Sequence, residues 1–133
     1  MDLTKLHVLV IDDEEFTRRF MEHALEAIGV NQISSAEHGR SAIQKIVGMA
    51  SPPDVILCDL EMPTMNGFEF VVNLRALEED ELSKIPVVIV TGHDADIAET
   101  VSKLEINGFA TKPMSPATLS THLEKALLSM DVA

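Results

Sequence analysis

The sequence predicts an α/β fold, a doubly wound parallel sheet of five strands with helices on both faces. Three observations carry this. Five short strand-like runs are each followed by a stretch with helical apolar spacing. Three of them, Val8 to Ile11, Val55 to Cys58 and Val87 to Val90, are continuously apolar, as strands covered on both faces are, and do not alternate. The unusual polar residues all fall just after such runs, at what would be the carboxyl ends of strands.

Leu6-His7-Val8-Leu9-Val10-Ile11 is aliphatic and β-branched and predicts the first strand. It runs into Asp12-Asp13-Glu14-Glu15. Glu14 and Glu15 suit the positive end of a helix dipole, but two carboxylates at the tip of a buried strand repel each other. Phe16, Phe20, Ala24, Leu25 and Ile28 recur at helical spacing, and Gly29 ends that helix. Gln32-Ile33-Ser34-Ser35 is a weaker second strand. Ala42, Ile43, Ile46 and Val47 form the next helical stripe, which Gly48 stops.

Ser51-Pro52-Pro53-Asp54 is a turn, and Val55-Ile56-Leu57-Cys58 then enters Asp59. A carboxylate at the end of that strand is a metal ligand, a nucleophile or a helix cap. Phe68, Val71, Val72 and Arg75 to Leu77 continue as a helix, and Glu78-Glu79-Asp80-Glu81 reads as a solvated helix end or loop. Pro86-Val87-Val88-Ile89-Val90 is the fourth strand, ending at Thr91-Gly92-His93. Asp94 or Asp96 can cap a fourth helix whose apolar face is Ile97, Val101 and Leu104. Ile106 to Ala110 is the fifth strand, ending at Thr111-Lys112-Pro113. Ser115-Pro116 opens the last helix, with Leu119, Leu123, Ala126 and Leu127 as its stripe.

The chain of 133 residues is expected to form one domain, with a core over about 5–129 and no effector domain. The 22 acids against 10 bases give a formal charge of −12, which argues against nucleic acid as the direct partner. One cysteine, Cys58, excludes an internal disulfide and suits a reducing compartment. No run approaches the roughly 20 apolar residues that span a bilayer, and the first residues carry no signal-peptide pattern. A cytoplasmic location is expected, without membrane insertion.

In a parallel sheet the carboxyl ends of the strands converge on one edge, where ligands bind. Asp12, Asp13, Asp59, Thr91 and Lys112 could therefore share a pocket. Three close carboxylates cannot all stay ionised unaided. A hard divalent cation such as Mg²⁺, together with the Lys112 ammonium, balances their charge. One carboxylate oxygen could then attack a phosphoryl group while cationic groups stabilise its equatorial oxygens.

Four segments carry a resemblance to a known family: Val10-Ile11-Asp12-Asp13-Glu14, Asp59 through Gly67, Val90-Thr91-Gly92 and Thr111-Lys112-Pro113. In order and spacing they resemble receiver domains of two-component response regulators, of the single-domain, CheY-like type. The resemblance spans essentially the whole chain. It implies a (βα)5 flavodoxin/CheY-like sheet of order 2-1-3-4-5. By the resemblance, Asp59 is the phosphoacceptor. Asp12, Asp13, Asp59 and the main-chain carbonyl of Glu61 would hold Mg²⁺, with Mn²⁺ as a substitute. Thr91 and Lys112 would bind the phosphoryl group, Phe109 would be the switching aromatic, and the bond before Pro113 would be cis. A plain core aromatic is the other reading of Phe109.

Glu61 and His93 lie two residues beyond Asp59 and Thr91, positions that in this family flank the phosphoryl group. They are expected to tune phosphate lifetime through the attacking water; solvated loop side chains are the alternative. The implied partners are a histidine kinase or histidine phosphotransfer protein, and a target docking on the face of the fourth helix, fifth strand and fifth helix. A phosphate shuttle or sink in a phosphorelay is the second reading. A haloacid-dehalogenase-like phosphatase would want an aspartate where Glu61 stands, and a cap domain. A flavodoxin-like cofactor binder would want a Ser, Thr and Gly-rich first loop in place of Asp-Asp-Glu-Glu. The protein is thus expected to phosphorylate and dephosphorylate itself without being a multiple-turnover enzyme.

Overall fold

The computed structural model describes residues 2–92, 106–112 and 114–131. Five parallel strands form one sheet: β1 (His7–Ile11), β2 (Gln32–Ala36), β3 (Val55–Asp59), β4 (Val87–Thr91) and β5 (Gly108–Thr111), in the order β2-β1-β3-β4-β5. The helices are α1 (Glu15–Ala27), α2 (Gly39–Gly48), α3 (Gly67–Arg75), the single turn α4 (Asp80–Ser83) and α5 (Pro116–Asp131). The helix expected around Ile97, Val101 and Leu104 lies outside the described residues.

Side chains alternate across each strand and so feed two cores. Val8, Val10, Leu57, Val88 and Val90 pack under α1 and α5 with Leu25, Leu119 and Leu123. Leu9, Ile11, Ile56, Cys58 and Ile89 pack under α2 and α3 with Ile46, Phe70 and Leu74. Every residue of β1, β3 and β4 is buried, which is why Val8 to Ile11, Val55 to Cys58 and Val87 to Val90 are unbroken apolar sequence.

Three expectations about element placement are corrected. The core face of α1 is Met21, Ala24 and Leu25, while Phe16 is 78% and Phe20 45% exposed. A four-residue step along a helix drifts sideways by about 40°, so the outer end of that apolar row leaves the sheet. Val47 and Val72 likewise face outward at the margins of their stripes. The acidic run is exposed and forms a helix end, as one of its two readings had it: Asp80 and Glu81 open α4, which buried Leu82 anchors. β5 begins only at Gly108, because Asn107 is engaged with Val87 through both its backbone and its side chain.

Among the described residues, three α-helices start on side-chain caps that satisfy otherwise unpaired N–H groups. Asn66 Oδ1 accepts from Glu69 N at 2.9 Å in a capping box on α3. Ser115 Oγ accepts from Thr118 N at 3.2 Å on α5. His38 caps α2 by accepting from Ser41 N through Nδ1 at 3.1 Å.

Candidate functional site

Strand register builds the floor of the site. Val10 on β1 lies level with Leu57 on β3, so two residues further on Asp12 lies level with Asp59 on the same side of the sheet. Their exposures are 0% and 4%. Asp59 is not a helix cap, since Asn66 fills that role for α3.

Lys112 follows β5 and reaches back over the sheet edge. Its Nζ stands 2.9 Å from Asp12 Oδ2 and 3.0 Å from Asp59 Oδ1. Its backbone N–H donates to the Thr91 carbonyl at 2.7 Å, which ties its base to the end of β4. Asp12 is held further by Glu14 N, which donates to Oδ1 at 2.9 Å, and Arg18 donates to its carbonyl at 2.9 Å.

The electrostatics follow from this burial. Burial pushes the Asp59 carboxyl up to about 6; the hydrogen bond from Lys112 opposes the rise, and the neighbouring Asp12 charge adds to it. Partial burial alone would lower the Lys112 pKa, but its hydrogen bonds to Asp12 and Asp59 outweigh that and hold the ammonium above the ordinary lysine range. The Cys58 thiol is buried, and burial pushes its pKa up well beyond the usual value, with the Asp59 and Asp12 charges adding to it. It is a neutral packing group, inert as a nucleophile.

The loop after β3 is fixed by backbone. Leu60 N donates to Val90 O, and Gly67 N donates to Leu60 O, both at 2.9 Å. Between them Thr64 takes a positive φ of 71° beneath a tight Met65 N to Pro63 O bond. A Cβ on Gly67 would lie 2.7 Å from the Asp59 carbonyl oxygen, so only glycine allows this close return. The loop brings the Glu61 N–H to the Asp59 carboxylate and the Glu61 side chain to Thr91, whose hydroxyl donates to Oε1 at 3.4 Å.

An open cavity of about 350 Å³ at this edge is lined by Asp12, Asp13, Glu14, Thr17, Asp59, Glu61, Gly92 and Lys112, while Thr91 lies buried behind Glu61 and does not line it. Asp12, Asp13 and Asp59 each offer an oxygen within 4.8 Å of the others, an all-oxygen donor set that fits Mg²⁺. Asp13 is exposed and Thr91 fully buried. Phe109, half-buried on β5 level with Ile89, packs toward the α2 and α3 core and does not line this cavity. His93 and Pro113, with its expected cis bond, lie outside the described residues. The sequence reading missed the contact between Glu61 and Thr91. It also missed a neighbouring hollow of about 250 Å³ where exposed Phe16 and Phe20 meet Met114 and Lys112.

The family model for the response regulator receiver domain matches residues 8–124. The chain belongs to the response regulator receiver family. Among similar receiver proteins, chemotaxis protein CheY1 of Helicobacter pylori is 32% identical over 95% of this chain and 100% of its own length. The CheY homolog of Campylobacter jejuni is 32% identical over 92% of each chain. The solved structure of Vibrio cholerae chemotaxis protein CheY4 superposes with a TM-score of 0.77 at 31% identity, covering 92% of this chain and 98% of that one. Among the described residues, no helix of this receiver is long and apolar enough to cross a membrane.

Proposed function

We propose that this receiver accepts a phosphoryl group on Asp59 from a phosphohistidine of a histidine kinase or phosphotransfer protein, and signals through phosphorylation-dependent protein contacts. The observation that carries the reading is the Lys112 ammonium placed on Asp59 and Asp12 together. A cation there holds the nucleophilic carboxylate in place and meets the charge of an incoming phosphoryl group. The match along the full length of CheY1 supports the reading of a stand-alone regulator.

In the transfer, an Asp59 carboxylate oxygen forms a bond to phosphorus as the bond from phosphorus to the donor imidazole nitrogen breaks. The nitrogen keeps the electron pair and takes up a proton as it leaves. Asp12, Asp13, Asp59 and the Glu61 carbonyl would hold Mg²⁺, or Mn²⁺ in its place, which when bound supplies positive charge to the phosphoryl oxygens. Lys112 orients the carboxylate, and Thr91 would donate its hydroxyl to the acquired phosphate. Phe109, on the strand beside β4, would pass that movement to the face around β5 and α5 where a target docks. Exposed Phe16 and Phe20 beside the pocket offer apolar surface to the donor. Glu61 and His93 would set phosphate lifetime. The cytoplasm is where such a donor meets the receiver.

Mixing the protein with a phosphorylated histidine phosphotransfer protein and Mg²⁺ tests the reading. Label should move to wild type and stay on the donor with Asp59→Asn. Label that moves to the variant as readily would refute it. A shuttle or sink role would appear as rapid return of label to a second phosphotransfer protein.

A further inference from the structure

Thr91 ends β4 with its side chain fully buried, and its hydroxyl donates to Glu61 Oε1 at 3.4 Å. Glu61 is exposed and leaves β3 two residues after Asp59. A hydroxyl carries one proton. While that proton points at Glu61, it is not available to another acceptor at the pocket. The contact is longer than the usual separation of about 2.7–2.8 Å, so it can be exchanged for a better acceptor. Its acceptor is a carboxylate, the same kind of anionic oxygen that a phosphoryl group presents.

The backbone beneath Glu61 is fixed. Its own N–H bonds the Asp59 carboxylate, Leu60 N bonds Val90 O at 2.9 Å, and Met62 is buried in the α2 and α3 core. The contact with Thr91 is therefore broken by rotation of the two side chains, not by movement of the loop.

We propose that Glu61 is a positioning residue that acts through Thr91. In the unphosphorylated protein its carboxylate holds the Thr91 hydroxyl in place of a phosphoryl oxygen, and it must release that hydroxyl before Thr91 can bind phosphate. The inference rests on the assignment of Asp59 as phosphoacceptor. It concerns the resting state and is separate from any effect of Glu61 on water that attacks the phosphorylated state. Glu61 thereby raises the threshold for switching, because carboxylate and phosphoryl compete for one donor.

Beryllofluoride with Mg²⁺ serves as the phosphoryl probe, titrated calorimetrically into wild type, Glu61→Gln, Thr91→Val and the double variant. With Thr91 present, Glu61→Gln should tighten binding about five- to tenfold. In the Thr91→Val background the gain should fall below about twofold, since no hydroxyl remains to compete for. An equal gain in both backgrounds would reduce Glu61 to simple charge repulsion and overturn the proposal, as would no gain in either. Methyl NMR of Thr91 without ligand gives an independent reading. Its side-chain rotamer populations should differ between wild type and Glu61→Gln, and identical populations would also overturn the proposal. If wild type fails to bind beryllofluoride at all, the Asp59 assignment falls, and the rotamer populations still decide whether Glu61 holds Thr91.

Discussion

The Lys112 ammonium stands 3.0 Å from Asp59 Oδ1, bridging a residue at the end of β3 to one that follows β5. Because Lys112 also meets Asp12 at 2.9 Å, it is the cation that lets two buried carboxylates lie side by side. Lys112→Met should leave them facing each other. We expect a loss of about 1–3 kcal/mol at neutral pH without divalent cations, measured by urea unfolding followed by circular dichroism. Millimolar Mg²⁺ should restore part of the loss. Unchanged stability without metal would show that the contact is not a working ion pair.

Asp59 gives a pH-dependent prediction. Its carboxyl titrates at about 6 in the fold against an ordinary 3.8, so the folded state holds the proton more tightly. Below the lower value both states are protonated and nothing is lost. As pH rises from there to about 6, the unfolded chain ionises first and stability falls; above about 6 the full penalty remains. Asp59→Asn should therefore stabilise the metal-free protein at neutral pH by on the order of 1–2 kcal/mol, the open mouth of the pocket screening part of the effect. The gain should vanish toward pH 4 and shrink when Mg²⁺ is added.

Asp13 differs from its neighbour in being exposed. Its removal should affect cation binding more than folding. Asp13→Asn should weaken Mg²⁺ affinity about tenfold, measured by calorimetric titration, with stability changed by less than about 0.5 kcal/mol. Equal Mg²⁺ affinity in the two proteins would take Asp13 out of the metal set.

Gly67 lets the loop return against the strand that carries Asp59. A methyl group there would press on the Asp59 carbonyl oxygen at 2.7 Å and the Leu60 Cα at 3.0 Å, both backbone atoms. Gly67→Ala should destabilise the protein by about 1–3 kcal/mol and displace the amide resonances of Asp59 and Glu61. Gly92→Ala is the control, because nothing lies within 4 Å of its added methyl. Equal effects of the two substitutions would contradict this packing.

Much of the fold was legible because a fully buried parallel sheet leaves a simple mark. The runs Val8 to Ile11, Val55 to Cys58 and Val87 to Val90 have no polar residue to confuse the pattern, and Asp12, Asp59 and Thr91 stand out where they end. Helix faces were harder. Phe16 and Phe20 fit a helical stripe as well as Met21 and Leu25 do, and only the position of α5 beside α1 decides which row is covered. The roles of His7 and His38 were not legible either. His7 Nε2 lies 2.7 Å from Ser34 Oγ on β2 and its Nδ1 3.2 Å from the Ser51 carbonyl in the turn before β3, partners distant in sequence. Arg75 holds the Ser83 and Ile85 carbonyls and the Asn107 side chain, a network spanning segments that spacing alone cannot join. The meeting of Glu61 with Thr91 was hidden for the same reason: it depends on how the loop after β3 lies against the end of β4.

Intact-mass measurement after incubation with acetyl phosphate and Mg²⁺ tests the central claim most directly. Wild type should gain the mass of one phosphoryl group, located on Asp59 by peptide mapping, and Asp59→Asn should gain none. A wild type that stays unmodified, or an adduct on a different residue, would contradict the account.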